Sequence, residues 1–316
     1  MNKKRTAIEI EYQNDKQWIN SKPLKLENMR GKVILLDFWT YSCVNCVRTF
    51  PALKKIYNKY KGKRFVIIGI HTPEFEFEKE IGNVKYAVKK YGIEWPILSD
   101  PLRHNWDNYG NQYWPRVAVI NDNGEIIFEH VGENGYDEID KVINEELKKM
   151  KDIPYDSEII EVDKKLELSG ISKESYTGNV RGKEIEGLSC SKEECDEYSA
   201  PEKRQGDKIY LQGEWIRNKE YVEFNGEDFE GWISYKFYAK EVNVVIGGVG
   251  KSEIEVDGKP IRLENLGKDV KIEDGKSIVS VEGADMYNLV NLSEHHSREL
   301  KIKVFKGMKV YAFTFG

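Results

Sequence analysis

The sequence predicts two domains of different class, an α/β domain over residues 1–152 and an all-β jelly roll or β-sandwich over 209–316, joined by a linker and loop at 153–208. Three observations carry this. At 316 residues the chain is long for one hydrophobic core. Its first half alternates near-continuous apolar runs of strand length with segments of helical period. Its last third is a series of short alternating runs at turn spacing.

Taken in order, residues 1–30 read as an N-terminal hairpin or extension, with an alternating piece at Ile8, Ile10 and Tyr12. Val33 to Trp39 reads as a buried central strand. A helix follows, with Phe50, Leu53, Ile56, Tyr57 and Tyr60 on one face and Gly62 placed to end it. Arg64 to Ile70 closes a strand-helix-strand unit whose strands should be parallel. An acidic, aromatic-bearing loop, His71 to Glu80, leads to a helix through Val84, Ala87 and Val88, a short strand at Trp95 to Leu98 and a short helix at Leu102 to Tyr109. Arg116 to Ile120 and Glu125 to His130 form a hairpin around Asn123-Gly124. Asp137 to Lys151 is the last amphipathic helix, with lysines at its C-terminal end. About eight strands are then expected from Ile209 onward.

Charged residues make up 33% of the chain and hydrophobic ones 40%, with a net charge of -5, which argues against nucleic acid as a partner. Glu9 and Glu11 interrupt the N-terminal segment, so no apolar export signal is read, and no run approaches the ~18 residues of a membrane span. Read literally the chain is soluble and cytoplasmic, and extracytoplasmic if the sequence is trimmed. The four cysteines fall into two local pairs, Cys43/Cys46 and Cys190/Cys195, not a dense disulfide framework.

Cys43-Val44-Asn45-Cys46 lies where the central strand gives way to a helix. Zinc sites share the C-x-x-C spacing but need a second pair of ligands, and none lies near in sequence. No metal and no cofactor beyond a redox-active Cys43/Cys46 disulfide is therefore expected. A thiolate is the attacking species, and a helix N-terminus favours it, so Cys43 is the expected nucleophile and Cys46, one turn further in, the resolving thiol. Asp37, an expensive carboxylate in an apolar strand, could accept the proton of Cys46. Pro51 should kink the helix. Trp114-Pro115 is the place for a cis proline whose backbone pairs with an extended substrate.

With these residues in view, Asp37-Phe38-Trp39, Cys43-Val44-Asn45-Cys46 and Pro51 resemble thioredoxin. The wider run Trp39 to Cys46, together with His71-Thr72-Pro73-Glu74-Phe75 and Tyr113-Trp114-Pro115, resembles more closely the thioredoxin-like part of DipZ-type cytochrome c biogenesis proteins. The segment Val310 to Gly316, with Trp215 and Val242-Asn243-Val244-Val245, is similar to the β-sandwich that follows it in those proteins. The resemblance implies a thioredoxin-like fold plus a carbohydrate-binding-module-like jelly roll. It also implies thiol-disulfide exchange with protein disulfide or dithiol substrates, and an electron donor or acceptor not identified by sequence. Trp39, Trp114 and Pro115 are the expected substrate-binding residues.

Other readings compete at several positions. The opposed class is a non-catalytic protein whose sandwich captures a glycan or protein partner. A thiol peroxidase is suggested by the spacing of Thr40 and Cys43, although Leu36 stands where such enzymes place a proline. Arg116 reads as a lone surface arginine. Cys190 and Cys195 read first as a local structural disulfide, with a relay pair and free thiols as alternatives. His295-His296 point to opposite faces of an extended segment and read as solvent-exposed. Trp215, Trp232, Tyr235 and Tyr238 read as core and edge packing rather than as a sugar-stacking platform.

Overall fold

The structure, a computed structural model, describes residues 5–150, 160, 170–182, 185–186 and 197–316. The chain divides into two compact units, Met1–Leu166 and Glu167–Gly316. In the first, the strands are β1 (Arg5–Thr6), β2 (Trp18–Ile19), β3 (Val33–Trp39), β4 (Phe65–His71), β5 (Ile97–Ser99), β6 (Arg116–Ile120) and β7 (Glu125–Val131). They form one sheet in the order β1-β7-β6-β3-β4-β5-β2. All residues of β3 are buried, as its unbroken apolarity requires, and it pairs parallel with β4 and antiparallel with β6.

Alternation along β3 sorts its side chains between two layers. Val33, Leu35 and Trp39 join a cluster with residues of α1 (Val44–Tyr60), α2 (Ile81–Lys90) and α4 (Tyr136–Lys148). Ile34, Leu36 and Phe38 face the other way, onto Ile10, Trp18, Leu26 and Met29 of the N-terminal segment and onto Tyr109, which follows α3 (His104–Asn108). The N-terminal segment is therefore not a hairpin. Its two short strands lie on opposite edges of the sheet, β1 against β7 and β2 against β5, and the chain between them covers one face. The Glu9 carboxylate fixes this cover by accepting from the Leu26 and Glu27 amides at 2.7 and 2.9 Å. Each of its buried apolar anchors contributes roughly 1.5–3 kcal/mol.

In the second unit the strands are β8 (Ser175–Tyr176), β9 (Ile185–Glu186), β10 (Glu197–Tyr198), β11 (Ile209–Arg217), β12 (Val222–Phe224), β13 (Trp232–Gly247), β14 (Gly250–Val256), β15 (Lys259–Pro260), β16 (Val270–Glu273), β17 (Lys276–Val281), β18 (Asp285–Lys303) and β19 (Lys309–Phe315). The two long strands organise it. One half of β13, Trp232–Tyr235, pairs with β11, while the other, Val242–Gly247, pairs with β19. β18 follows β13 along both halves, with a register shift between Ala239 and Glu241. Strands that pass from one sheet to the next at a bulge are how sandwiches turn their corners. A single apolar cluster, including Trp215, Tyr235, Phe237 and Phe313, fills the space between.

Two expectations are corrected here. The stretch 153–208 is not all linker, because β8 pairs with β19, β9 with β11 and β10 with β11, so the β unit begins well before residue 209. Strand β18 is far longer than the short alternating runs expected after Ile209, since Asp285 to Lys303 form one strand along β13. Cys190 and Cys195 lie outside the described residues. Among the described residues, no helix is long and apolar enough to cross a membrane.

Candidate active site

Strand β3 ends at Trp39, the segment Thr40-Tyr41-Ser42 turns, and Cys43 becomes the N-cap of α1. Its sulfur takes the place of a capping oxygen, accepting from the Cys46 amide at 3.4 Å. Both cysteines are free thiols. Cys43 retains a little exposure, 9%, whereas Cys46 has none. Burial pushes the Cys46 thiol well above its ordinary value, and Cys43 adds to this through a hydrogen bond and its charge. The Thr40 main chain works the other way, favouring the ionised sulfur. One turn on, Thr49 Oγ1 donates to the Cys46 carbonyl at 2.7 Å. Pro51 lies inside α1 and has no amide to offer the Val47 carbonyl.

Asp37 is wholly buried in the middle of β3, between Gly69 of β4 and Val117 of β6. It is not a solvated carboxylate at a sheet edge. By alternation its side chain lies on the same face as Leu35 and Trp39, the face that α1 covers. Neither of its oxygens has a hydrogen-bond partner among the described residues, and burial raises its pKa from 3.8 to about 7. Its charge acts on Cys46 and on the buried Tyr136 at the start of α4, raising the pKa of each.

Trp114-Pro115 is a cis peptide bond. Phe38 pairs with Arg116, so the start of β6 lies at the end of β3 from which the cysteines emerge. Pro115 is buried and Trp114 half-buried. The Trp114 ring lies on Trp106 with centroids 4.1 Å apart, and the Arg103 guanidinium sits 5.3 Å from Trp114 and 4.8 Å from Trp106. Trp39, by contrast, is fully buried, its ring edge-on to Phe50 and His71. It supports the site from beneath and presents no face to a substrate. Arg116 is no surface arginine either. It is buried, bonded to Asn111 and Glu129, and its guanidinium is 5.8 Å from the Phe38 ring.

A second buried carboxylate, not singled out in the sequence, lies beside the cysteines. Glu78 Oε1 accepts from the Thr40 hydroxyl at 2.5 Å and the Ser42 amide at 3.2 Å, while Oε2 accepts from the Glu74 and Phe75 amides at 2.6 and 2.9 Å. Burial raises its pKa to about 7 against the pull of these donors. His71 Nε2 lies 3.4 Å from Thr40 Oγ1, and its ring stacks on Tyr41. Burial lowers the His71 pKa to about 3.

Elsewhere the sequence candidates are not brought together as a site. Trp215 and Tyr235 are core residues, Trp232 packs with Lys301 and Arg204, and only Tyr238 is largely exposed, so the four form no shared platform. His295 stacks on Tyr238 and its neighbour His296 is exposed on β18. Among the described residues no group of three or more His, Cys, Asp or Glu is placed to hold a metal ion.

Residues 19–143 match the Redoxin family model, and residues 172–316 match the family described as thioredoxin like C-terminal domain. The N-terminal domain is thus similar to the redoxin family over most of its described length. Along 95% of its length the chain is similar to the DipZ proteins of Mycobacterium bovis and Mycobacterium tuberculosis, 30% identical over 305 residues. It spans 41% of those relatives' length. The chain is also similar to the thiol-disulfide oxidoreductase ResA of Halalkalibacterium halodurans, 32% identical over 114 residues, which are 36% of this chain and 62% of that one. Thiol-disulfide oxidoreductase YkuV of Bacillus subtilis matches at 25% identity over 137 residues, 43% of this chain and 92% of that protein. The chain is thus similar in part to thiol-disulfide oxidoreductases, and its match to the DipZ proteins runs through both compact units.

Proposed function

We propose that the chain exchanges disulfides with protein substrates through Cys43 and Cys46, with Asp37 as proton acceptor. The observation that carries this reading is the asymmetry of the pair: Cys43 is partly open at a helix N-terminus, while Cys46 is sealed beneath it beside an unpartnered carboxylate. In the reducing direction the Cys43 thiolate attacks a substrate disulfide, forming a mixed disulfide and releasing one substrate thiolate. Cys43 then no longer carries the charge, or accepts the hydrogen bond, that held the Cys46 proton in place. Asp37 takes that proton, the Cys46 thiolate attacks Cys43 Sγ, and the second substrate thiolate leaves. The protein dithiol has lost two electrons and the substrate disulfide has gained them. A dithiol donor must restore the pair, and every step reverses when a substrate dithiol is the reductant.

Trp114 and the cis Pro115, at the same end of the sheet as the cysteines, are the proposed contact surface for an extended substrate. The peroxidase alternative is disfavoured because the Thr40 hydroxyl is committed to Glu78 rather than offered to Cys43. The deciding experiment is reduction of insulin disulfides with dithiothreitol as donor. Cys43→Ser should fall to the rate of dithiothreitol alone, and Cys46→Ser should accumulate a mixed disulfide. A Cys43→Ser variant as fast as wild type would refute the mechanism.

A further inference from the structure

Glu78 stands apart from the other acidic residues of its loop. It is wholly buried, and it accepts four hydrogen bonds, three from backbone amides and one from a hydroxyl. A buried carboxylate is costly, and one receiving four donors has a positional task to repay that cost. Two donors, the Glu74 and Phe75 amides, belong to its own loop. The other two, the Thr40 hydroxyl and the Ser42 amide, belong to the turn that delivers Cys43 to the helix. The carboxylate therefore ties the loop after β4 to the turn after β3.

Thr40 makes this more than a structural rivet. Its hydroxyl is held by Glu78, and its main chain is the group that favours the ionised sulfur of Cys46. A backbone group that favours a thiolate does so through its N–H, so one residue is anchored at its side chain and turns its main chain toward Cys46. We propose that Glu78 is a positioning residue for the second half of the reaction: by holding the Thr40 hydroxyl it aims the Thr40 amide at Cys46 Sγ as that sulfur becomes the attacking thiolate. The proposal rests on the dithiol reading above. The step served is attack of Cys46 S⁻ on the Cys43–S–S–R bond, which forms Cys43–S–S–Cys46 and expels R–S⁻, the Cys46 proton having gone to Asp37.

A chromogenic aromatic disulfide, 5,5′-dithiobis(2-nitrobenzoate), separates the two halves. The first thionitrobenzoate is released when Cys43 forms the mixed disulfide, and the second when Cys46 resolves it. With the full chain in stopped flow, carrying Cys190→Ser and Cys195→Ser throughout so that Cys43 and Cys46 alone report, Glu78→Gln and Thr40→Val should each slow the second release by about 10-fold or more, the scale of one charge-assisted hydrogen bond. The first release should change by less than about 2-fold. Thr40→Ser, which keeps the hydroxyl, should recover most of what Thr40→Val loses. The double variant should be no slower than the worse single one, because both break the same link.

Equal slowing of both releases, or no slowing of the second, would overturn the proposal. Should Glu78→Gln fail to fold, the comparison of Thr40→Val with Thr40→Ser decides alone. Failure of the dithiol reading itself would look different. Wild type would then release fewer than two thionitrobenzoates per chain, or Cys46→Ser would still release the second.

Discussion

Asp37 of β3 stands directly across from Gly69 of β4 in a parallel pair whose seven positions run from Val33–Phe65 to Trp39–His71. Gly69 is small because its neighbourhood is full. A Cβ added there would come within 2.4 Å of Ile97 Cδ1 and 3.0 Å of the Trp39 indole nitrogen. Both neighbours are wholly buried, so neither can simply swing away. Gly69→Ala should destabilise the domain by about 1–3 kcal/mol, the range for overpacking a tight core, measured as a shift of the urea midpoint. An unchanged midpoint would mean that the packing around Trp39 yields more easily than its burial implies.

Burial of Asp37 also makes stability depend on pH in a defined direction. A carboxyl moved from 3.8 to about 7 stays protonated in the folded chain over a range in which the unfolded chain has released the proton. Stability should therefore fall as pH rises from about 4 to about 7 and then level off, with a full effect on the order of 4 kcal/mol. Glu78, also raised to about 7, adds a slope of the same sign. His71, lowered to about 3, opposes them between pH 6.5 and 3, because its neutral folded form loses ground as the unfolded imidazole takes a proton. The difference between wild type and Asp37→Asn isolates the aspartate. Urea midpoints at pH 5 and pH 8 should differ less in the variant, and the variant should be the more stable at pH 8. Identical pH dependence in both proteins would rule this out.

How much of this could be read from the residues follows from what each signal depends on. The strand Val33–Trp39, the helix behind the cysteines and the Asn123-Gly124 hairpin are written in local periodicity and turn chemistry, and they stand where the sequence puts them. Asp37 was visible because a carboxylate in an apolar run has few innocent explanations. Glu78 was not, since it is one of Glu74, Glu76, Glu78 and Glu80 in an acidic loop, and only tertiary folding selects which is buried. The alternation of Phe75 and Phe77 with glutamates was the one local hint that part of this loop turns inward. Arg116 misled in the opposite sense, because a charged residue beside a proline reads as surface until Asn111 and Glu129 are folded against it. In β18 the polar run Glu294-His295-His296-Ser297-Arg298 carries no apolar alternation to mark it as part of a long strand, yet a strand facing water on one side tolerates it.

The stack of Arg103 and Trp106 behind Trp114 implies a separable substrate effect. Arg103 is itself held, its Nη1 donating to the Pro73 carbonyl at 3.0 Å, so the Trp114 ring rests on a fixed support. Under the proposed function this ring meets the substrate and the sulfur chemistry takes place elsewhere. Trp114→Ala should raise KM for a protein disulfide about 10-fold while kcat stays within about 2-fold. Dithiobis(nitrobenzoate), too small to lie across the ring, should react at nearly the wild-type rate. A fall in kcat with KM unchanged would instead give Trp114 a role in shaping the dithiol.

The two thiols should differ sharply toward an alkylating reagent. Cys43 reaches the surface at the start of α1, whereas Cys46 is sealed and its thiol is pushed well above the ordinary range, so it has neither access nor thiolate. At pH 7 a modest excess of iodoacetamide should modify Cys43 and leave Cys46 unmodified in the native chain, read for each of the two sites by peptide mass spectrometry. Cys46 should react only after denaturation. Capping Cys43 removes the charge that helps suppress Cys46, but burial remains the largest cause of its shift, so a native-state adduct at Cys46 should form at least about 10-fold more slowly than that at Cys43. Equal labelling of both sites in the native protein would contradict the asymmetry on which the assignment of nucleophile and resolving thiol depends.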